Sequence, residues 1–180
     1  QADTTCACLY QPDLLIHNGT SYLGDGTYNI DATGQSRAST VAPNTTATYP
    51  IKLQNDGNAA DSFTVTGPAG NASWQVKYSL HETATEITAD VTGAGWTSEA
   101  LSVGEEVLLD LKVTPLSGAA GNELRSVLVT ATSDADDAKK DAVQADTTCA
   151  CLYQPDLLIH NGTSYLGDGT YNIDAAGQSY

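Results

Sequence analysis

Residues 1–36 of this chain recur at 144–179, an offset of 143 residues, with one change, Thr33 to Ala176. Self-similarity at a fixed period makes the repeat, not the chain, the unit of folding. The 180 residues therefore read as one full repeat, 1–143, followed by the opening strands of the next, 144–180. A repeat of 143 residues can bury its own core. The chain starts at Gln1 and has no Met, so it reads as a stretch of a longer array. Between Ala138 and Cys149 there is no Gly or Pro, hence no flexible linker. Such a join is expected to hold successive repeats in fixed contact, as in a stiff rod.

The formal charge is −15, and the last 37 residues supply four aspartates and no base, which leaves −11 on the complete repeat. Nucleic acid and anionic lipid both require clustered Lys and Arg, so neither is expected as a partner. No apolar run approaches the roughly 20 residues of a membrane helix, so no membrane insertion is expected. The uncharged polar residues are mostly Thr, Ser, Asn and Gly, a mixture suited to strands and turns.

Apolar residues alternate with polar ones over most of the repeat, the pattern of strands with one buried face. The runs are Ala47–Leu53, Phe63–Val65, Trp74–Leu80, Ile87–Val91, Val107–Val113 and Val127–Ala131. A further strand is expected over Leu9–Ile16, where Pro12 suggests an edge or a bulge. Tyr22-Leu23 and Thr27–Ile30 flank Gly24-Asp25-Gly26 and predict a hairpin. Many short strands separated by Gly-, Pro- and Asn-containing turns predict an all-β, immunoglobulin-like antiparallel β-sandwich in tandem repeat.

Three stretches carry a family likeness: TATYPIKLQNDGNAADSFTVTG with Gly95-Trp96, LSVGEEVLLDLKVTP, and VLVTATSD. Together they resemble the immunoglobulin-like repeat domains of bacterial and archaeal surface proteins, of the cell-adhesion-related, CARDB-like type. The resemblance spans about residues 40–135 and rests on an Asn-X-Gly-X-Ala-X-Asp turn and a Leu-X-X-Gly-Glu lead into a strand. It implies surface display, adhesion or assembly, and it brings no catalytic residues. The Thr-Cys-Ala-Cys segment lies outside that pattern.

Cys6, Cys8 and their copies Cys149 and Cys151 are the only cysteines, and they mark the repeat junction. Cys-X-Cys is short for a zinc knuckle and lacks neighbouring ligands, so disulfides at the junction are favoured over a metal or free thiols. Sequons at Asn18, Asn44, Asn71 and Asn161 offer N-glycosylation, although Thr-rich chains produce such triplets by accident. Asp25, Asn29 and Asp31 present oxygen ligands at loop spacing, with Asp13 or Asp3 as further donors, and calcium is the one cofactor they suggest. A solvated Asp/Gly turn is the plainer reading of the same residues. Asn55, Asp56 and Asp61 fit the family's ordinary turn and are discounted as ligands.

No nucleophile motif, phosphate loop or zinc-protease motif occurs, so the chain is not expected to be an enzyme. His17, His81 and His160 are read as structural, and the pairs Glu105-Glu106 and Asp136-Asp137 as solvated turns. Trp74 is expected in the core. Trp96 is assigned to packing ahead of sugar stacking, and Lys52, Lys77 and Lys112 face outward, away from any isopeptide chemistry. The composition and the repeat therefore predict an extracellular, cell-surface structural repeat whose partner is itself, in a fibre or stalk joined end to end or by strand donation. The competing expectation is an adhesin or carbohydrate-binding module that takes glycans.

Overall fold

A computed structural model describes residues 6–152 and 156–167. Chain contacts divide it after Ala150 into a large unit and a small one. The large unit is a sandwich of two five-stranded sheets. One sheet is ordered β2-β1-β4-β8-β6, from Tyr22–Leu23, Pro12–His17, Ala47–Asn55, Glu106–Pro115 and Trp74–Leu80. The other is ordered β3-β10-β9-β5-β7, from Ser36–Val41, Lys140–Cys149, Leu124–Ser133, Phe63–Thr66 and Trp96–Thr97. The all-β sandwich is thus present, with one exception to its antiparallel character. β3 and β10 run parallel, from Ser36 opposite Gln144 to Val41 opposite Cys149.

The expected alternation is what fills the space between the sheets. Tyr49, Ile51 and Leu53 of β4 point inward with Leu111 and Val113 of β8, against Phe63, Val65, Val127 and Val129 of the facing sheet, all nearly free of solvent contact. Thr48, Lys52 and Gln54 take the other side of β4. Burying one aliphatic side chain of this size contributes about 1.5–3 kcal/mol, so this shared interior is what holds the two sheets together. Trp74 lies in the core as expected, its indole Nε1–H donating to Glu123 at 2.7 Å.

Two local expectations give way to other structure, the strand at Ile87–Val91 and the hairpin arm at Thr27–Ile30. Ile87–Val91 forms a single helical turn, α1 (Thr88–Val91), because Ile87 and Val91 are both buried at a spacing of four while Ala89 is exposed. Thr27–Ile30 forms no strand; β2 pairs back onto β1 around an Asn18–Ser21 turn, Asn18 Oδ1 accepting the Thr20 and Ser21 N–H groups. Pro12 opens β1 and creates no bulge, occupying the one strand position where its missing N–H costs nothing. The repeat boundary at 143/144 falls inside β10, where Gln144–Cys149 pair with β3 on one side and β9 on the other.

Within the large unit, the segment Leu9–Gln11 and the end of β10 lie at opposite ends of the sandwich. Leu9 and Gln11 accept hydrogen bonds from Asn58 and Asp56 of the β4–β5 turn, which defines a leading end. β10 carries the chain the length of the sandwich, roughly 33 Å for ten residues. It finishes at Cys149, bonded to Glu123 and Asn122 beside Val41, at the trailing end.

The small unit repeats the β1–β2 hairpin on its own as β11 (Ile159–His160) and β12 (Tyr165–Leu166). Even its details are copied: His160 packs edge-on to Tyr165 at 4.9 Å, as His17 does to Tyr22 at 5.0 Å. Among its described residues, Leu152, Leu158, Ile159 and Tyr165 are exposed. Leu157 is 82% exposed, whereas its counterpart Leu14 is 0% exposed.

Candidate functional site

The densest polar chemistry in the large unit sits at the leading end, on buried carboxylates. Asp141, at the start of β10, is fully buried. Its Oδ2 accepts the Leu14 N–H at 2.6 Å, and its Oδ1 accepts the Asn29 N–H at 3.0 Å and the Gln35 side-chain amide at 2.8 Å. The sequence explains the need. β2 pairs only with Ile16 and His17, so Leu14 has no strand partner on that side of β1 and a side chain must satisfy it. Burial pushes the Asp141 carboxyl up to about 6, against the backbone N–H groups of Asn29, Leu14 and Ala142.

Asp13 is the second buried carboxylate, also at 0% exposure. Oδ2 accepts the Gly26 N–H at 2.9 Å, and Oδ1 is buried without a hydrogen-bond partner. Burial pushes this carboxyl up to about 7, and the charges of Asp56 and Asp141 add to the effect while the Gly26 N–H opposes it. Carboxylate oxygens of Asp13, Asp25 and Asp56 all lie within 4.8 Å of one another. Asp25 is exposed on the turn closed by Thr27 N–H to Gly24, and Asp56 is half-buried on the β4–β5 turn. The Tyr28 hydroxyl donates to Asp56 at 2.8 Å, and burial together with that bond holds its pKa above the ordinary value.

Of the loop ligands expected from sequence, the structure brings Asp25 into the cluster and leaves Asn29 and Asp31 out. Asn29 is occupied with Thr33 through both side-chain atoms. Asp31 accepts the Thr33 N–H, which lowers its pKa. Asp13, named from sequence as an accessory donor, is the buried centre. Asp56, discounted from sequence, takes part, while Asn55 and Asp61 serve the turn itself. Asn55 Nδ2 donates to Ala59 and Leu101 carbonyls, and Asp61 holds Ser133. Asp141 and Gln35 escaped the sequence reading, because the segment Ala138–Asp146 around Asp141 is only weakly patterned.

The disulfides expected at the junction are absent: Cys6, Cys8, Cys149 and Cys151 are all free thiols. Within the large unit the reason is placement. Cys6 lies near Asn58 at the leading end, and Cys149 is buried at the trailing end, the length of a ten-residue strand away. Cys6 and Cys8 are both exposed and remain unpaired, in keeping with the strain of closing so short a ring.

The remaining candidates have structural partners. Asn18, Asn44 and Asn71 are exposed, and Asn161 is half-buried; Asn18, Asn71 and Asn161 each fold their side-chain oxygen onto backbone N–H groups two and three residues on. Trp96 is half-buried against the core. Lys52 pairs with Glu106 at 2.6 Å, Lys77 with Glu86 at 3.1 Å, and His81 with Asp110 at 2.9 Å. A shallow cleft of about 160 Å³ beside Leu80 and Val107 holds Glu82 and Glu106 and no nucleophilic side chain other than Thr83.

No family model and no curated protein matches the chain. Solved structures do share the fold. A family 123 glycoside hydrolase from Clostridium perfringens aligns with a TM-score of 0.50 at 10% identity, covering 81% of this chain and 28% of the hydrolase. The major pilin subunit BcpA of Bacillus cereus aligns at 0.40 with 15% identity, over 78% of this chain and 40% of the pilin. A CARDB domain from Pyrococcus furiosus, in complex with di-metal ions, aligns at 0.37 with 14% identity, over 83% of this chain and 95% of that domain. The chain thus spans less than a third of the hydrolase, and at these identities the likeness concerns the sandwich fold alone.

Proposed function

We propose that the chain is a structural repeat of an extracellular surface fibre or stalk, in which sandwiches follow one another lengthwise. One observation carries this reading. The strand that closes the sandwich, β10, takes four residues from the end of one repeat, Lys140–Val143, and six from the beginning of the next, Gln144–Cys149. The duplicated sequence is therefore shared property. Its first six residues complete the unit behind, and the rest begins the unit ahead. A chain that arrives at the leading end and departs at the trailing end propagates along the sandwich axis.

The exposed Leu157, Leu158 and Ile159 supply the motive for continuation, because their counterparts Leu14, Leu15 and Ile16 are buried in the large unit, Leu14 and Ile16 of them in the core between the sheets. The remaining strands of a further copy, in the same chain or a neighbouring one, would cover them. Net acidity keeps such an array soluble and clear of nucleic acid and anionic lipid. The reading is of a protein that spans distance, not one that performs chemistry.

Electron microscopy of the native material tests this. Unbranched fibres with an axial period of at least about 3.3 nm, the length of the ten-residue β10, are expected. Dispersed particles the size of one sandwich would refute the proposal. A glycan array separates it from the adhesin reading, which requires specific sugar binding.

A further inference from the structure

We propose that Asp13, Asp25 and Asp56 form a calcium site that clamps the leading end of the sandwich. The three side chains come from separate elements: the second residue of β1, the turn after β2, and the β4–β5 turn. Their oxygens lie within 4.8 Å of one another, the span that a single ion with ligands at about 2.4 Å can bridge. Magnesium demands near-ideal octahedral geometry at roughly 2.0–2.1 Å and gives up its waters reluctantly, so a three-carboxylate protein site favours calcium. The ligands are all hard carboxylate oxygens with no His or Cys among them, which suits calcium ahead of zinc or copper.

Proximity of acidic groups is not the whole case. Asp13 is fully buried, and Oδ1 has no protein donor. A buried carboxylate oxygen without a partner costs about as much as a lost hydrogen bond to a charged group, and usually more. A second orphan acceptor borders the same turn. Gln35 Oε1 is also buried and unpartnered, and it lies 2.7 Å from where a Cβ on Gly24 would sit. The fold has thus gathered acceptors around Gly24-Asp25-Gly26 in excess of the donors it supplies. A divalent cation provides the missing positive charge.

The site adjoins the chain's point of arrival, since the Asp56 N–H also holds the Gln11 carbonyl at 2.9 Å. An ion there would tie β1 and both turns into one piece. The duplicated segment carries Asp156 and Asp168 at the positions of Asp13 and Asp25, two of the three ligands. The inference stands independently of whether the chain assembles.

The test is calcium titration of the whole chain by calorimetry, with melting followed in calcium, in magnesium and in sodium chloride at matched ionic strength. Saturable binding with a Kd of about 0.1–1 mM, the range of extracellular calcium modules, is expected. At a hundredfold excess over Kd, Tm should rise by about 5–10 °C. Asp25→Asn and Asp56→Asn, at an exposed and a half-buried position, should fold and lose that rise. Absence of saturable binding, an equal rise in magnesium, or a rise preserved in both variants would overturn the site.

Discussion

Asp141 accepts the backbone N–H of Leu14 at 2.6 Å, joining the last strand of the sandwich to the first across 127 residues of sequence. The same carboxylate holds Asn29 and Gln35, so one buried side chain fixes β1, the loop after β2 and the approach to β3. Removing it strands three donors in the interior. Asp141→Ala is expected to destabilise the fold by about 3–5 kcal/mol, since each buried unsatisfied group costs about 1–3 kcal/mol. Asp141→Asn, which keeps one acceptor oxygen, should cost clearly less. Urea unfolding of the two variants checks the order.

Glu123 gives the pH dependence. Its carboxylate accepts the Trp74 indole N–H and the Ala120 N–H, and these bonds, the indole first, lower its pKa. A lowered carboxyl pKa contributes stability that is complete above the unfolded value of 4.5 and is lost as pH falls through the folded value. Acidification below pH 4.5 should therefore change Trp74 fluorescence. In Glu123→Gln that acid-side transition should disappear. An identical transition in the variant would detach it from Glu123.

The four thiols should separate by strand membership, not by sequence. Cys6 and Cys149 have the same neighbours in sequence, yet Cys6 is exposed and Cys149 is 0% exposed inside β10. Iodoacetamide applied to the native chain should label Cys6 and Cys8 quickly and Cys149 only after unfolding. Tryptic peptides distinguish the two copies. Equal labelling of Cys6 and Cys149 would contradict the placement of 144–149 in the sheet.

Gly57 lies under the arriving segment. A Cβ there would sit 2.3 Å from the Leu9 carbonyl and 3.1 Å from the Gln11 N. Gly57→Ala should free residues 7–11 from the β4–β5 turn, with a loss of about 1–3 kcal/mol typical of overpacking. Faster hydrogen exchange at the amides of Asp56 and Asn58, which donate to Gln11 and Leu9, is the readout.

Strands with large inward residues, such as β4, β6, β8 and β9, could be read directly from alternation. β3 and β10 could not. The inward residues of β10 include Ala145, Thr147 and Cys149, kept small or polar beside the Tyr49 ring, whose hydroxyl contacts Thr147 at 2.8 Å. The result is a central strand with the composition of a loop. The helical turn at Thr88–Val91 was hidden because three apolar residues at 87, 89 and 91 fit a strand, although only two of them are buried. For the carboxylate cluster, Asp25 stood out by its glycine turn. Asp56 sits 43 residues from Asp13, and only the pairing of β1 with β4, Pro12 opposite Asn55, brings them together.

The most direct test uses soluble chains with one, two and three complete copies, measured by small-angle X-ray scattering. If the shared strand propagates sandwiches lengthwise, the maximum dimension should grow linearly, by at least about 3.3 nm per added copy, the length of a ten-residue strand. Growth as the cube root of mass, with the copies folded back on one another, would contradict the account.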